Sequence, residues 1–281
     1  MSPLWRDELR VVLAPEQVVL VRLGCALTTR GLTPRVEEKI VVDCAPAAAG
    51  EAAWDASLKA LEKEMPRLLA RRTDAKVILS NHFMRYTLMP WSETLNNAAE
   101  DEAYARHCFR QLYGADAEQW ELRLSPERAG LPRLVSAVDA RLLAALRGVF
   151  ERNGVALASI QPRLMAAYNN SRRTLKNSSS WFALLERGCL CLALLQGGRW
   201  ASVRTMRIGS DWRDALSRAL EREAYLAEAN ADTRAVLLWA PELGKEELPE
   251  SGGWQITLLQ PLLHAALVPQ YEPRFAMALS G

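Results

Sequence analysis

The residues most able to carry chemistry lie in a tight turn, Glu186-Arg187-Gly188, between two apolar strands. Glycine lets backbone N–H groups approach a phosphate, and a neighbouring carboxylate can hold a metal ion. A second polar corner, Gly209-Ser210-Asp211, precedes a helix. The stretch 181–216 is therefore predicted to form strand, turn, strand, turn, strand and helix, with its polar residues in the turns.

Other reactive side chains are better explained without catalysis. Asp211 and Asp214 lie at the start of a predicted helix, where acidic residues commonly cap it. His82 directly follows a strand, but no nucleophile motif accompanies it. The five cysteines and three histidines lack the spacing of zinc ligands. Cys189 and Cys191 lie two apart on a strand, which favours buried, reduced thiols over a redox or metal site.

Composition limits the class of protein. The 281 residues are 49% hydrophobic and 24% charged, which is typical of a soluble globular chain. The net charge of +2 gives no reason to expect nucleic acid or an acidic surface as a partner. No apolar run reaches the ~20 residues of a membrane helix. The start, MSPLWRDELR, lacks the apolar core of a secretory signal, so we expect a cytoplasmic location.

The first part of the chain alternates strands and helices. Residues 9–23 predict a hairpin that turns at Ala14-Pro15-Glu16, and apolar residues at helical spacing predict a helix from Trp54 to about Arg72. Pro66 should kink or split that helix. Further strands are predicted at 36–43 and 76–80.

Residues 81–132 differ in character and are predicted to be an inserted subdomain. It would contain a strand at 83–89, a corner at Pro90-Trp91, a charged helix at 95–113 and a strand at 119–124. The regular alternation returns with a strand at 134–138, a helix at 139–152, a strand at 155–160 and a short helix after Pro162.

The polar stretch 169–180, NNSRRTLKNSSS, is predicted to be a hinge between two lobes. After the strands of 181–207, a helix is predicted at 212–229 and strands at 235–240 and 255–259. The order strand meander, helix, strand therefore occurs on both sides of the hinge, which indicates an internal duplication.

The order of these motifs resembles the PilM family of actin-like pilus-assembly proteins and the cytoplasmic part of GspL from type II secretion. The resemblance rests on RYTLMPWSETL at 85–95, NGVALASI at 153–160, LMAAY at 164–168 and IGSD at 208–211. It implies an α/β, actin-like (ribonuclease H-like) duplicated fold. The first lobe would be 1–170, with 81–132 inserted as an α+β subdomain, and the second lobe 171–281.

Departures from the family pattern fall in the loops that bind nucleotide in ATP-using members. The first turn has Pro15 and Glu16 in place of an Asp-x-Gly turn, so it has lost a donor and gained a negative charge. In the second turn, Glu186, Arg187 and Gly188 keep one glycine, but thiols and leucines replace the hydroxyls that follow it. The loop after 235–239 contains Pro241 and Glu242 and ends at Gly244.

A length argument agrees with the altered loops. Relatives that bind ATP insert an adenine-side subdomain after the second-lobe helix, whereas this chain has room only for a turn at 230–233. We therefore expect no nucleotide, metal or other cofactor. We expect Gly209, Ser210 and Asp211 to form the polar corner at which the helix begins.

The resemblance implies a non-catalytic scaffold in the inner-membrane assembly platform of a type IV pilus or type II secretion machine. Its partners would be the cytoplasmic segment of a bitopic, PilN-like membrane protein and, as a second candidate, the assembly ATPase, without nucleic acid and without direct membrane insertion. The alternative is a nucleotide-binding actin-like ATPase or kinase with an atypical site. The candidate partner-binding residues are Arg85, Pro90, Trp91 and Tyr104, although these rings could instead pack the subdomain itself.

Overall fold

The computed structural model describes residues 7–28, 31–48, 50–69, 73–227, 233–243, 248 and 252–280. The strands are β1 (Asp7–Ala14), β2 (Gln17–Thr28), β3 (Gly31–Asp43), β4 (Thr73–Leu79), β5 (Met84–Met89), β6 (Trp120–Leu124), β7 (Arg133–Asp139), β8 (Ala156–Pro162), β9 (Ser180–Glu186), β10 (Cys189–Gln196), β11 (Arg199–Arg207), β12 (Ala235–Trp239) and β13 (Gln255–Leu258). The α-helices are α1 (Asp55–Leu68), α2 (Ala98–Tyr113), α3 (Ala140–Arg152), α4 (Arg163–Asn170), α5 (Arg172–Leu175), α6 (Trp212–Leu226) and α7 (Ala276–Ser280).

The chain divides into two structural units. The first unit consists of Met1–Phe83, Arg141–Asn170 and Pro261–Gly281, and the second of Met84–Ala140 and Ser171–Gln260. This division differs from the predicted boundary at residue 170. The segment 84–140 does interrupt the sequence of the first unit, as predicted, but it packs with the second, where β5 lies against β11.

Each unit contains a five-stranded sheet with the same topology. The strand order is β3-β2-β1-β4-β8 in the first unit and β11-β10-β9-β12-β13 in the second. In both sheets three antiparallel strands are followed by two strands that join in parallel. The internal duplication predicted from the order of elements is therefore confirmed.

The central strands of the second unit are apolar on both faces, which is typical of strands covered on both sides. Residues 189–195 of β10 are all buried. Trp181 on β9 is fully buried and belongs to a core cluster with Leu192, Leu216 and Trp254. Helix α6 contributes to this cluster because its apolar residues recur at helical spacing.

A third sheet, with the order β5-β7-β6, lies within 84–139. β7 is its middle strand and pairs antiparallel with both neighbours. The prediction that the insertion ends at Pro132 was therefore wrong. The sequence pattern of 134–138 indicated a strand correctly, but a strand's partners are distant in sequence and its own pattern does not identify them.

Helix α1 passes through Pro66 and ends two residues later. The expected split does not occur, because Pro66 lies in the last turn and only two helical residues follow it. The predicted end at Arg72 lies outside the described residues.

The last segment of the chain, Pro261–Gly281, belongs to the first unit. The prediction that assigned it to the second lobe was therefore wrong. The guanidinium of Arg10 on β1 donates hydrogen bonds from Nη1 to the carbonyl oxygens of Ala278 (3.0 Å) and Leu279 (3.1 Å). The side chain of Asn170 bonds both to the backbone of Leu262 and to the carbonyl of Ser280. In the described part of the chain, no helix is long and apolar enough to span a bilayer.

Candidate functional site

Helix α2 and the sheet β5-β7-β6 form the inserted subdomain, defined here as residues 84–139. Ala105 and Phe109 on α2 are fully buried and pack with Met89, Val135 and Ala137 from the sheet. The subdomain therefore has its own apolar core, which holds its surface loops in place.

Side-chain hydrogen bonds fix the start of α2. Asn97 is the N-cap, and its side-chain oxygen accepts a hydrogen bond from the N–H of Glu100 at 3.0 Å. The Glu100 carboxylate accepts in return from the backbone N–H of Asn96 at 2.7 Å and from Nδ2 of Asn97 at 2.8 Å. This reciprocal arrangement is a variant of the capping box in which the carboxylate bonds the N–H of the residue before the N-cap, and it ties Asn96 and Asn97 to the first turn of the helix.

A cavity of about 170 Å³ opens beside this helix start. It lies among the end of β5, the first turn of α2 and the loop between β6 and β7. Its lining residues are Met89, Pro90, Trp91, Ser92, Leu95, Asp101, Glu127, Arg128, Ala129 and Arg133. We call it the Trp91 cavity.

The walls of the Trp91 cavity contain both apolar and charged side chains. Met89 is buried, and Leu95 packs against the core of the inserted subdomain. Among the charged lining residues, Asp101 and Arg133 form an ion pair, and each side chain is 24% exposed. The backbone N–H of Ser125 donates to the carbonyl of Leu134 at 2.8 Å and so closes the loop.

Trp91 is the exposed aromatic residue of the cavity. Its exposed fraction is 43%, whereas every other tryptophan in the described residues is buried or half-buried. An indole ring in water leaves a large apolar area uncovered, and such rings are frequent anchors of protein interfaces. Trp91 therefore presents an uncovered apolar surface beside the cavity.

Two of the predicted partner-binding residues lie away from the cavity. Tyr104 is half-buried on α2 and stacks on His107, with 6.4 Å between the ring centroids. Arg85 on β5 donates from Nη1 to the carbonyl of Met84 at 2.8 Å. Burial raises the pKa of Tyr113, and the positive charges of Arg85 and Arg204 partly offset this rise. The structure thus brings together Pro90 and Trp91, but not Arg85 or Tyr104.

Sequence reasoning did not identify the charged residues that line the cavity. Asp101 and Arg133 are 32 positions apart, and neither falls in a motif. Leu95 carried a weak signal, because it is an apolar residue within the polar stretch SETLNN.

The first of the altered turns is a two-residue connection in the first unit. Ala14 pairs with Gln17, so Pro15 and Glu16 form the turn between β1 and β2. The carbonyl of Glu16 accepts a hydrogen bond from the N–H of Cys44 at 2.7 Å. Pro15 has no N–H, so this turn offers fewer backbone donors to an anion than a glycine turn would.

The second altered turn joins β9 and β10 in the second unit. Gly188 has a φ of 71°, and its carbonyl accepts from the N–H of Ile208 at 3.1 Å. Glu186 is buried, whereas Arg187 is exposed. Cys191, which follows the turn, is fully buried, and burial raises the pKa of its thiol to about 12. The predicted buried thiols are confirmed, and they cannot replace surface hydroxyls as ligands for phosphate.

The polar corner before α6 caps the helix. The side chain of Asp211 accepts a hydrogen bond from the N–H of Asp214 at 3.3 Å, and Asp211 is the N-cap residue. Gly209 and Ser210 are exposed in the chain that leads to this cap. This geometry supports the capping interpretation over acid–base chemistry.

The third altered loop follows β12 and begins at Ala240. Pro241 and Glu242 lie in a turn in which the N–H of Leu243 donates to the carbonyl of Ala240 at 3.0 Å. Gly244 lies outside the described residues, as do 228–232, which include most of the predicted turn at 230–233. Helix α6 ends at Leu226 and β12 begins at Ala235, so the intervening chain is too short for a folded subdomain.

No group of three or more His, Cys, Asp or Glu side chains among the described residues could hold a metal ion. His82 is half-buried after β4, and its backbone N–H donates to Oγ of Ser80 at 3.2 Å. The Trp91 cavity combines an exposed aromatic ring with apolar and charged side chains.

Comparison with known proteins identifies the fold. No protein-family model matches the chain, and no curated protein matches it. A solved PilM-PilN type IV pilus biogenesis complex matches with a TM-score of 0.66 at 15% identity, covering 97% of this chain and 96% of the other. The cytoplasmic domain of EpsL, an inner-membrane component of the type II secretion system of Vibrio cholerae, matches with a TM-score of 0.59 at 12% identity, covering 94% and 93%.

A third solved structure, from Bacteroides thetaiotaomicron, is a protein with an actin-like ATPase fold and unknown function. It matches with a TM-score of 0.57 at 11% identity, covering 88% of each chain. The chain thus has the actin-like fold, and the predicted resemblance to PilM and GspL proteins is confirmed at the level of the fold. Sharing a fold does not fix a function, which must be argued from the site.

Proposed function

We propose that this protein is a non-catalytic, actin-like scaffold that binds a short cytoplasmic segment of a membrane protein in the Trp91 cavity. The observation that carries the proposal is Trp91 itself, the one exposed tryptophan of the described chain, at the mouth of a cavity with apolar and charged walls. The machine would be an assembly platform of the type IV pilus or type II secretion class.

The size of the cavity favours a peptide side chain over a cofactor. Pockets for drug-sized ligands and cofactors usually enclose about 300–1,000 Å³. The Trp91 cavity encloses about 170 Å³, which suits one large apolar side chain. If one such residue anchors a peptide, the peptide backbone on either side of it would lie across Pro90 and Trp91.

The charges around the cavity suggest the chemistry of the flanking residues. Glu127 and Arg128 are exposed in the loop that forms the outer wall, beside the paired Asp101 and Arg133. A peptide with one apolar anchor and charged residues of both signs beside it would complement this surface.

The altered turns support the non-catalytic part of the proposal. Pro15 removes a donor at the first turn, and buried thiols follow the second. The similar PilM structure was solved as a complex with PilN, which supports a PilN-like membrane protein as the partner. The assembly ATPase is a second candidate partner.

Affinity for a tail peptide tests the proposal. The probe is a synthetic peptide with the sequence of the cytoplasmic tail of a PilN-like membrane protein from the same genome, and its affinity is measured by calorimetry. Trp91→Ala should weaken binding about thirtyfold, the effect of losing a central aromatic anchor. Tyr225→Ala is the matched control, because Tyr225 is 86% exposed on α6 and should not affect binding. Equal affinities of wild type and Trp91→Ala would contradict the proposal.

A nucleotide-binding ATPase or kinase with an atypical site is the second candidate function. One observation favours it: Gly188 keeps a positive φ next to a carboxylate, that of Glu186. Stabilisation of the folded protein by MgATP separates the two functions, because only the second candidate requires it.

A further inference from the structure

Charge is unevenly distributed along this chain. Residues 152–210 contain nine Lys or Arg residues and a single acidic residue, Glu186, although the whole chain carries a net charge of only +2. The balanced total therefore hides a basic segment, and the rest of the chain is acidic on balance. The whole-chain charge was a poor guide to possible partners.

Four of these cations come from two backbone segments that pack together in the second unit. The N–H of Gly198 donates to the carbonyl of Ser178 at 2.7 Å, and the N–H of Gly197 donates to Oγ of Ser179 at 3.0 Å. The short helix α5 closes with the N–H of Lys176 bonded to the carbonyl of Arg172 at 2.9 Å. Lys176 and Arg199 therefore lie next to backbone atoms that contact each other, and Arg172 and Arg173 lie one turn before Lys176 on α5.

These four residues, Arg172, Arg173, Lys176 and Arg199, form what we call the basic patch. All four are exposed, and no described residue forms an ion pair with any of them. Arg204, on the same strand as Arg199, differs in this respect because it pairs with Glu223 at 3.6 Å. The patch therefore presents positive charge that the described part of the protein does not neutralise.

We propose that the basic patch binds the anionic headgroups of a phospholipid bilayer surface. This contact is separate from the Trp91 cavity and does not depend on peptide binding. It is adsorption to the surface and not insertion, because the exposed neighbours of the four cations are small or polar, namely Thr174, Asn177, Ser179, Gln196 and Gly197.

A bilayer surface fits the patch better than a peptide does. A peptide is usually held by an apolar groove or by the free edge of a sheet, with pockets for its side chains. The patch has neither an exposed apolar side chain nor a described cavity. Headgroup phosphates need only accessible cations within about one Debye length, which is about 8 Å at physiological ionic strength.

Nucleic acid fits less well for two reasons. Proteins that bind it usually carry a strongly basic domain or a stripe of cations along a helix or face. The basic patch has only four cations, and three of them lie on the four-residue helix α5 and the residue after it. Bases also stack on exposed aromatic rings, and the nearest tryptophans in sequence, Trp181 and Trp200, are buried.

The test is co-sedimentation of the full chain with vesicles. One vesicle contains phosphatidylcholine only, and the other contains equal parts of phosphatidylcholine and phosphatidylglycerol. The patch variant carries Arg172→Gln, Arg173→Gln, Lys176→Gln and Arg199→Gln. The matched control removes the same number of charges from exposed positions elsewhere, with Lys59→Gln, Lys63→Gln, Arg123→Gln and Arg218→Gln.

Wild type and control should bind the phosphatidylglycerol vesicles, and added salt should weaken this binding. Neither protein should bind the neutral vesicles. The affinity of the patch variant for the anionic vesicles should fall by about fivefold for each charge removed. Thermal melting of both variants checks that they remain folded.

Three results would overturn the proposal. One is equal binding of the wild-type protein to the anionic and the neutral vesicles. Another is equal loss of binding in patch variant and control, which would indicate diffuse net charge. The third is binding to a duplex oligonucleotide without binding to vesicles, which would assign the patch to nucleic acid.

Discussion

Gly198 and Asn177 approach so closely that a Cβ on Gly198 would lie 2.5 Å from the backbone nitrogen of Asn177. Both residues have positive φ, 77° for Gly198 and 64° for Asn177. This contact joins the two backbone segments that carry the basic patch, so the glycine is required by both its conformation and the lack of space around it.

Gly198→Ala should therefore destabilise the fold severely. The positive φ alone costs about 1–2 kcal/mol for a residue with a Cβ, and the steric overlap with backbone should add about 1–3 kcal/mol. Urea unfolding measures the change in the free energy of unfolding.

Gly197→Ala is the matched control for this prediction. Gly197 also has a positive φ, 58°, but a Cβ added to it would meet no described atom within 4 Å. The free energy of unfolding of this variant should fall only by the cost of a positive φ at alanine, about 1–2 kcal/mol. Equal losses in the two variants would show that Gly198 and Asn177 do not approach so closely.

The ion pair between Asp101 and Arg133 should contribute modestly to stability. Both side chains are largely shielded from solvent, and Asp101 also lies in the first turn of α2, where a negative charge is favourable. A double-mutant cycle with Asp101→Asn and Arg133→Gln should give a coupling energy of about 0.5–1 kcal/mol in unfolding experiments. Strict additivity would mean that the pair does not hold the cavity wall together.

Much of the fold could be predicted because its signals are local. Helix α3 was predicted at 139–152, and its apolar residues Leu142, Leu146 and Val149 recur at helical spacing and are all buried. The hairpins of both sheets follow from apolar runs separated by short turns. Their repetition on both sides of the stretch 169–180 was enough to indicate the duplicated fold.

The errors concern contacts between segments distant in the chain. The strand at 134–138 was identified, but its partners β5 and β6 were not, because pairing depends on the whole subdomain. The return of α7 to Arg10 spans 268 positions and leaves no local signal. The four-residue helix α5 within the predicted hinge was missed because it is too short to show a periodicity.

The site was predictable to a similar extent. Trp91 was identified because a tryptophan follows a proline within an inserted segment, and it is exposed at a cavity. Tyr104 was grouped with it only because both are aromatic, and the structure shows that Tyr104 packs against the core of the inserted subdomain and stacks on His107. The basic patch could not be found from the total charge, since acidic residues elsewhere cancel it.

The buried thiol of Cys191 should make stability depend on pH in the alkaline range. Burial is the main cause of its raised pKa, and the Thr205 hydroxyl, which donates to Sγ at 3.7 Å, opposes the rise. The pKa of the thiol is about 12 in the folded state and about 9.0 when exposed. Below pH 9 the thiol is protonated in both states, and above it only the unfolded state ionises.

Stability should therefore be constant with respect to this group below pH 9 and should fall as the pH rises from 9 towards 12. The free energy of unfolding of wild type minus that of Cys191→Ala isolates the effect, because other titrating groups cancel. A difference that does not change with pH would mean that Cys191 is not shielded from water in the folded state.

Nucleotide should have little effect on the folded protein. A ligand that binds only the folded state raises the melting temperature, by an amount that grows with the ratio of its concentration to Kd. Because the turn at Pro15 and Glu16 offers fewer backbone donors than a glycine turn, millimolar MgATP should leave the melting temperature unchanged. A clear rise that Gly188→Ala abolishes would instead support the ATPase or kinase as the function of this chain.

The central claim is that Trp91 contacts an apolar anchor of a partner peptide, and a double-mutant cycle across the interface tests it most directly. Each apolar residue of the tail peptide is replaced by Ala in turn, and the affinity is measured for wild type and for Trp91→Ala. One replacement should weaken binding to wild type strongly and to Trp91→Ala hardly at all, with a coupling energy of at least about 1 kcal/mol. If every replacement lowers the affinity by the same factor in both proteins, no peptide side chain is anchored on Trp91 and the claim is wrong.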